Sequence, residues 1–171
     1  MSYQWFVNFA HLDKFVSFSD EDMKTIPYPK TELLVHVAYK TAEVGCFLGS
    51  ALVGPVYSII RRGTSFRSMA TKCGLGGLVA GVLVAPVMVH YRLKQVEATP
   101  EAIYDRCYRI RHNEKQLFID RSVTLLAAGG FLADRWTGVV LGIDCAIVGT
   151  LLFNAFLWDR FAKKTDVRHP T

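Results

Sequence analysis

Hydrophobic and polar positions in this chain fall into long separate blocks. Cys73 to Tyr91 reads CGLGGLVAGVLVAPVMVHY, nineteen residues with no acidic or basic side chain except His90. An uncharged apolar run of about 18 residues or more is long enough to cross the hydrocarbon core of a bilayer as a helix. A comparable run, Val44 to Ile60, precedes it, and a longer interrupted one, Ser122 to Trp158, follows. The pattern predicts an all-α membrane protein. Its parts are an N-terminal arm at 1–40, spans at about 41–60, 69–91, 120–133 and 136–158, a polar connection at 92–119, and a C-terminal tail at 159–171. The third span has only twelve uncharged residues, Ser122 to Ala133. It crosses if the bilayer thins locally, with Arg121 snorkelling at one interface and Asp134 and Arg135 at the other. The alternative is three spans with 122–133 re-entrant. Trp136 and Trp158 bracket the fourth span as interfacial anchors.

The polar segments add topology. Trp5, Phe9, Leu12 and Val16 recur at helical spacing, which predicts a short amphipathic helix lying on the membrane or docking on a neighbouring subunit. Ser19 to Asp22 suits a helix cap, and Pro27-Tyr28-Pro29 predicts an extended linker. The arm lacks a basic start followed by an apolar core, and its acids argue against a transit peptide. The stretch Arg61 to Lys72 carries four basic residues and no acid, so the positive-inside rule puts it on the negative side of the membrane. In a mitochondrion that side is the matrix, and both termini then face the intermembrane space. The stretch Glu101 to Phe118 is expected to be helical, and His112-Asn113-Glu114 resembles a helix cap and turn.

Composition narrows the function. With 171 residues, half of them hydrophobic, the chain has room for one membrane domain and short tails. The net charge of +5 sits beside membrane ends, as Lys and Arg normally do, rather than in a nucleic-acid-binding patch. Cys46, Cys73, Cys107 and Cys145 have no CxxC spacing, the histidines form no HxxxH pair, and no glycine-rich loop follows a strand. Three of the cysteines lie in spans, where the thiol acts as a small apolar group. No catalytic, cofactor or metal residue is therefore expected.

Glycine spacing points to tight helix packing. Gly45 and Gly49, Gly77 and Gly81, and Gly138 and Gly142 each put two bare positions on one helix face, where a second backbone can approach closely. Gly54, Gly74, Gly129, Gly130 and Gly149 extend the pattern. Charges within spans are costly, about 2.5–3.5 kcal/mol at the bilayer centre on insertion scales, so Glu43, Lys72 and Asp144 each call for a partner or a function. Lys72 and Asp144 are expected to approach each other near the basic turn, and Glu43 to share the opposite interface with His90 and Arg92. Arg106, Arg109, Arg111 and Arg121, with His112 between them, form a candidate site for anionic lipid such as cardiolipin. The alternative is a solvated or partner-facing basic stretch.

The first-span GCFLGSALVG (45–54), the basic turn and second span SFRSMATKCGLGGLVAG (65–81) and the hairpin AAGGFLADRWTGVVLGIDCAIVG (127–149) carry a family resemblance. The chain resembles the four-helix proteins of the mitochondrial inner-membrane translocase (Tim) family. It is most similar to their relative among the accessory subunits of respiratory complex I (NADH:ubiquinone oxidoreductase). The hairpin pattern is the most specific part: small residues, a tight Arg-containing turn, an aromatic residue, then a Gly/Ala-rich helix. The likeness covers 42–153, whereas the aromatic arm and the 92–120 segment are longer than in that subunit. It implies a four-helix transmembrane bundle in the mitochondrial inner membrane with a non-catalytic role and no redox group. The implied partners are complex I membrane-arm subunits, a neighbouring respiratory complex, and phospholipid. Two alternatives stand beside it. One is a component of a protein-import translocase, with Glu43 and Asp144 aligned on a polar lipid-exposed face. The other is a small transporter, with Asp144 lining a water-accessible cavity.

Overall fold

Proline at the first position of a helix loses nothing, because that N–H has no intrahelical partner and the ring presets φ. The first described helix begins this way. The computed structural model describes residues 9–10, 26–61, 63–95 and 99–157, and α1 runs from Pro29 to Leu48. The expected linker therefore stops at Pro29, and the helix starts well ahead of residue 41. Its early turns are held by tertiary contacts: Leu33 packs with Ile26, Ile103 and Cys107, and Glu32 is paired. The helix then widens into a π turn at Gly49–Val53 before α2, Gly54–Ile60. Pro55 has no N–H to give to the preceding turn, and a π turn absorbs such a gap. The Gly54 N–H reaches back to Gly49 O, five residues away.

After a turn in which Gly63 takes φ +99, a left-handed value suited to glycine, α3 runs from Phe66 to Gln95. The segment between the long helices is shorter than expected as a helix. Thr99 caps α4 (Pro100–Arg111) by accepting the Ala102 N–H, and acidic Glu101 and basic Arg109 and Arg111 suit its dipole. His112 ends it. Asn113 accepts the Gln116 N–H and starts α5, Glu114–Phe156. The 101–118 helix is thus split at the cap-and-turn tripeptide.

Among the described residues, three helices are long and apolar enough to cross a membrane: Pro29–Ile60 (32 residues), Phe66–Gln95 (30) and Glu114–Phe156 (43). A straight helix of the last length would span roughly 65 Å, about twice a bilayer core. It is broken at Asp134 (φ −149°, ψ 38°) and Arg135 (φ 44°, ψ −129°). Its arms, 114–133 and 136–156, fold back on each other. Gly130 meets Gly138, Gly142 meets Leu126, and the Phe118 and Phe153 rings lie 5.3 Å apart. The run Ser122 to Ala133 is consequently the second part of an arm that starts at Glu114. The amphipathic 5–16 helix and the tail lie outside the described residues, apart from Phe9 and Ala10.

Three elements build the shared core: Cys46 from α1, Val123 from the first α5 arm, and Val140, Ile143 and Ala146 from the second. Outward, the protein is strongly apolar. Leu52, Leu83, Val87, Leu125, Leu132 and Leu151 are all exposed. Such a girdle suits lipid or a membrane-embedded partner.

Candidate functional site

Where α1 crosses α3, glycine has let backbone meet backbone. A Cβ on Gly45 would run into the Gly77 carbonyl, one on Gly49 into Cys73 O, and one on Gly81 into Thr41 O. Thr41 Oγ1 donates across this crossing to Gly81 O at 2.7 Å. Gly54 lies against the Ala70 backbone, and Gly74 against the Val140 side chain. Gly138 and Gly142 do the same work inside α5. All six glycines singled out for helix packing therefore sit at crossings. Gly76, Gly129 and Gly149 face open space.

The intramembrane charges find partners other than those expected. Asp144 accepts a hydrogen bond from Ser50 Oγ at 2.7 Å, which ties the π turn of the first long helix to the second arm of α5. Lys72 is exposed and makes no ion pair among the described residues, so the Lys72–Asp144 contact is not formed. The long side chain has water within reach at the helix end, whereas Ser50 already faces Asp144. Glu43 turns to Lys40 one helical turn earlier, at 2.6 Å, instead of joining His90 and Arg92. A pair within one helix needs no second element to be positioned.

That lysine makes the main polar cluster. Lys40 Nζ also meets Asp120 Oδ1, from α5, and so bridges two buried carboxylates. Gln116 Nε2 donates to Asp120 Oδ1 at 2.9 Å, and Tyr39 Oη donates to Asp120 O at 3.1 Å. Thr124 Oγ1 donates to the same carbonyl at 2.8 Å and lies against Tyr39 Oη. Glu43 and Tyr39 also border an apolar groove of about 480 Å³ between α1, α3 and α5. Neither Lys40 nor Asp120 stood out in the sequence. Both lie at the polar edges of apolar runs, where charge is unremarkable until the helices are placed side by side.

The arginines disperse. Arg111 is buried and grips Glu32 with two bonds, Nε to Oε2 at 3.1 Å and Nη2 to Oε1 at 2.6 Å. This fork-to-carboxylate geometry is the strongest form of ion pair. Beside it the Cys107 thiol donates to Pro29 O at 3.1 Å. Burial, followed by the nearby Glu32 carboxylate, pushes this thiol up to about 11. Arg109 pairs with Asp105 on the surface, and Arg121 Nε donates to Phe9 O at 2.8 Å. Arg106 lines a cavity of about 450 Å³, and its companion there is Arg92. The four arginines, on α4 and α5, are thus placed apart, each beside a different neighbour.

All four cysteines are free thiols. Among the described residues, no three His, Cys, Asp or Glu side chains are grouped to hold a metal ion. The arrangement combines glycine crossings, a buried Lys40–Glu43–Asp120 cluster and a broad apolar exterior.

The chain belongs to the family described as "Protein of unknown function (DUF1757)", which matches residues 5–153. A search of curated proteins found no match.

Proposed function

We propose that this member of a family without an assigned activity is a non-catalytic accessory subunit of the membrane arm of mitochondrial respiratory complex I. In this reading it spans the inner membrane four times, as a Tim-type bundle with both termini toward the intermembrane space. It supports assembly, stability or contacts with a neighbouring respiratory complex. The observation that carries the reading is the pair of glycine-crossed hairpins, α1 with α3 and the two arms of α5. They fall on the three sequence stretches that resemble the Tim-like subunit. Internal partners further support it: Lys40 pairs with Glu43, and the Ser50 hydroxyl donates to Asp144, so both carboxylates are engaged within the bundle. A translocase with a polar lipid-facing surface would leave them unmatched.

Mass spectrometry of native-gel bands from gently solubilised mitochondrial membranes tests the proposal. Stoichiometric migration with complex I or a larger respiratory assembly is the expected result. Migration with the protein-import machinery, or as a small free oligomer, rejects it.

A further inference from the structure

At the end of the molecule opposite the turns, a cavity of about 450 Å³ opens between the start of α1, the last turns of α3, and α4. Its volume falls within the roughly 300–1,000 Å³ of small-molecule sites. The walls are apolar, with Leu33 and Val37 from α1 and Met88, Val89 and Leu93 from α3. Charge enters from two directions, Arg92 on α3 and Arg106 on α4. Among the described residues, no carboxylate lines the cavity and neither guanidinium has an ion pair. The other arginines nearby, Arg109 and Arg111, are matched by Asp105 and Glu32.

We propose that this cavity is a binding site for one anionic phospholipid. Arg92 and Arg106 hold the phosphate, and an acyl chain lies along Leu33, Val37, Met88 and Val89. The arrangement follows from depth. Arg92 lies where α3 passes from an apolar run into Arg92-Leu93-Lys94-Gln95, the level at which lipid headgroups meet a spanning helix. Guanidinium forks suit phosphate oxygens, and basic pockets between membrane helices are known headgroup sites. A free phosphate ion would use the two arginines and leave the apolar walls unused; a neutral lipid would use only the walls. An anionic phospholipid satisfies both. The site is distinct from the expected quartet of arginines, with which it shares only Arg106, and it does not depend on membership of complex I.

The test uses the full-length protein in neutral detergent micelles. Thermal melting is followed as phosphatidylglycerol, phosphatidylcholine or inorganic phosphate is added. Phosphatidylglycerol should raise the melting temperature of the wild type, with phosphatidylcholine and inorganic phosphate giving little shift. The double variant R92Q/R106Q should bind phosphatidylglycerol about tenfold more weakly or worse, while melting as the wild type does in detergent alone. A second variant, Val37→Trp, keeps both arginines and fills the apolar wall, and it should lose the shift as well. Equal shifts in wild type and R92Q/R106Q would overturn the proposal. So would an equal response to phosphatidylcholine or to inorganic phosphate, or a Val37→Trp protein that still binds with full affinity.

Discussion

The seam within a hairpin and the junction between hairpins are built on different principles. Along the seam of α1 and α3, contact is backbone against backbone, through Gly45, Gly49, Gly77 and Gly81. Cohesion there comes from dispersion at close approach, because helices in lipid gain little from a hydrophobic effect. Across the junction with α5, contact is made by side chains. Cys46 packs on Val123 and Val140, Ser50 donates to Asp144, and Lys40 joins Glu43 to Asp120. A glycine seam tolerates no added atom, but it is indifferent to which apolar residue sits beside it. A polar junction tolerates some change of volume, but each donor and acceptor depends on a named partner. The first principle sets distance and the second sets rotation and depth.

Adding one methyl group should break the seam. Gly77→Ala places a Cβ inside the Gly45 carbonyl, where backbone and not a flexible side-chain tip must move. A loss of about 3 kcal/mol or more is expected, the upper end of overpacking, seen as poor accumulation or a collapsed melt in detergent. Gly76→Ala, one residue away and facing open space, should be neutral or slightly stabilising, since alanine is the better helix former. Equal effects at the two positions would mean that the seam is not where the backbones meet.

Next in size is the cation at the junction. Lys40→Met leaves the buried Glu43 and Asp120 carboxylates facing each other without their shared ammonium. The expected loss is about 3 kcal/mol, the low end for breaking a buried pair, because Lys40 retains 25% side-chain exposure. Adding Glu43→Gln should recover part of it by removing one of the two like charges. A double variant no better than the single would show that Lys40 acts through packing of its stem alone.

The same division explains how much the sequence disclosed. Gly45 and Gly49, or Gly77 and Gly81, need only i,i+4 spacing to define a face, so the crossings and the all-helical class are legible before any helix is placed. Apolar run length exposes the first two long helices for the same reason. Junction partners depend on rotation and depth, which no local pattern encodes. Asp144 is matched with Ser50 rather than Lys72 because the first long helix, and not the start of α3, brings a hydroxyl to its depth. The start of α1 at Pro29 was hidden by the charges at Lys30, Glu32 and Lys40, two of which are matched by Arg111 and Asp120 from distant elements. Arg106 and Arg111 are five residues apart on one short helix, yet one lines a cavity and the other is sealed against Glu32.

A milder probe of the junction is Ser50→Ala. It removes the donor to Asp144 and leaves the glycine seam untouched. Interhelical hydrogen bonds in membranes average about 0.6 kcal/mol with a maximum near 1.7, and Asp144 Oδ1 is already buried without a partner. A loss of about 1–2 kcal/mol is therefore expected. The paired change Ser50→Ala with Asp144→Leu should lose less than the sum of the single changes, as a double-mutant cycle would register. Additive losses would mean that the two groups are neighbours without being coupled.

The smallest effect should come from the other end of the junction, where Arg67 at the start of α3 meets Asp134 at the break in α5. The pair links the turns of the two hairpins, as Lys40 and Asp120 link them at the far end, but both side chains are largely exposed, at 67% and 46%. Water screens such a pair, and its contribution is about 0–1 kcal/mol. Arg67→Ala should accordingly leave the melt almost unchanged and lose even that effect in high salt. Arg135, with φ 44°, offers a sharper contrast at the same turn. Arg135→Gly relieves a left-handed backbone that disfavours a side chain, and should stabilise by up to about 1 kcal/mol. If Arg67→Ala instead cost as much as Lys40→Met, the hairpins would be held together equally at both ends. The buried cluster would then lose its claim to fix their relative rotation.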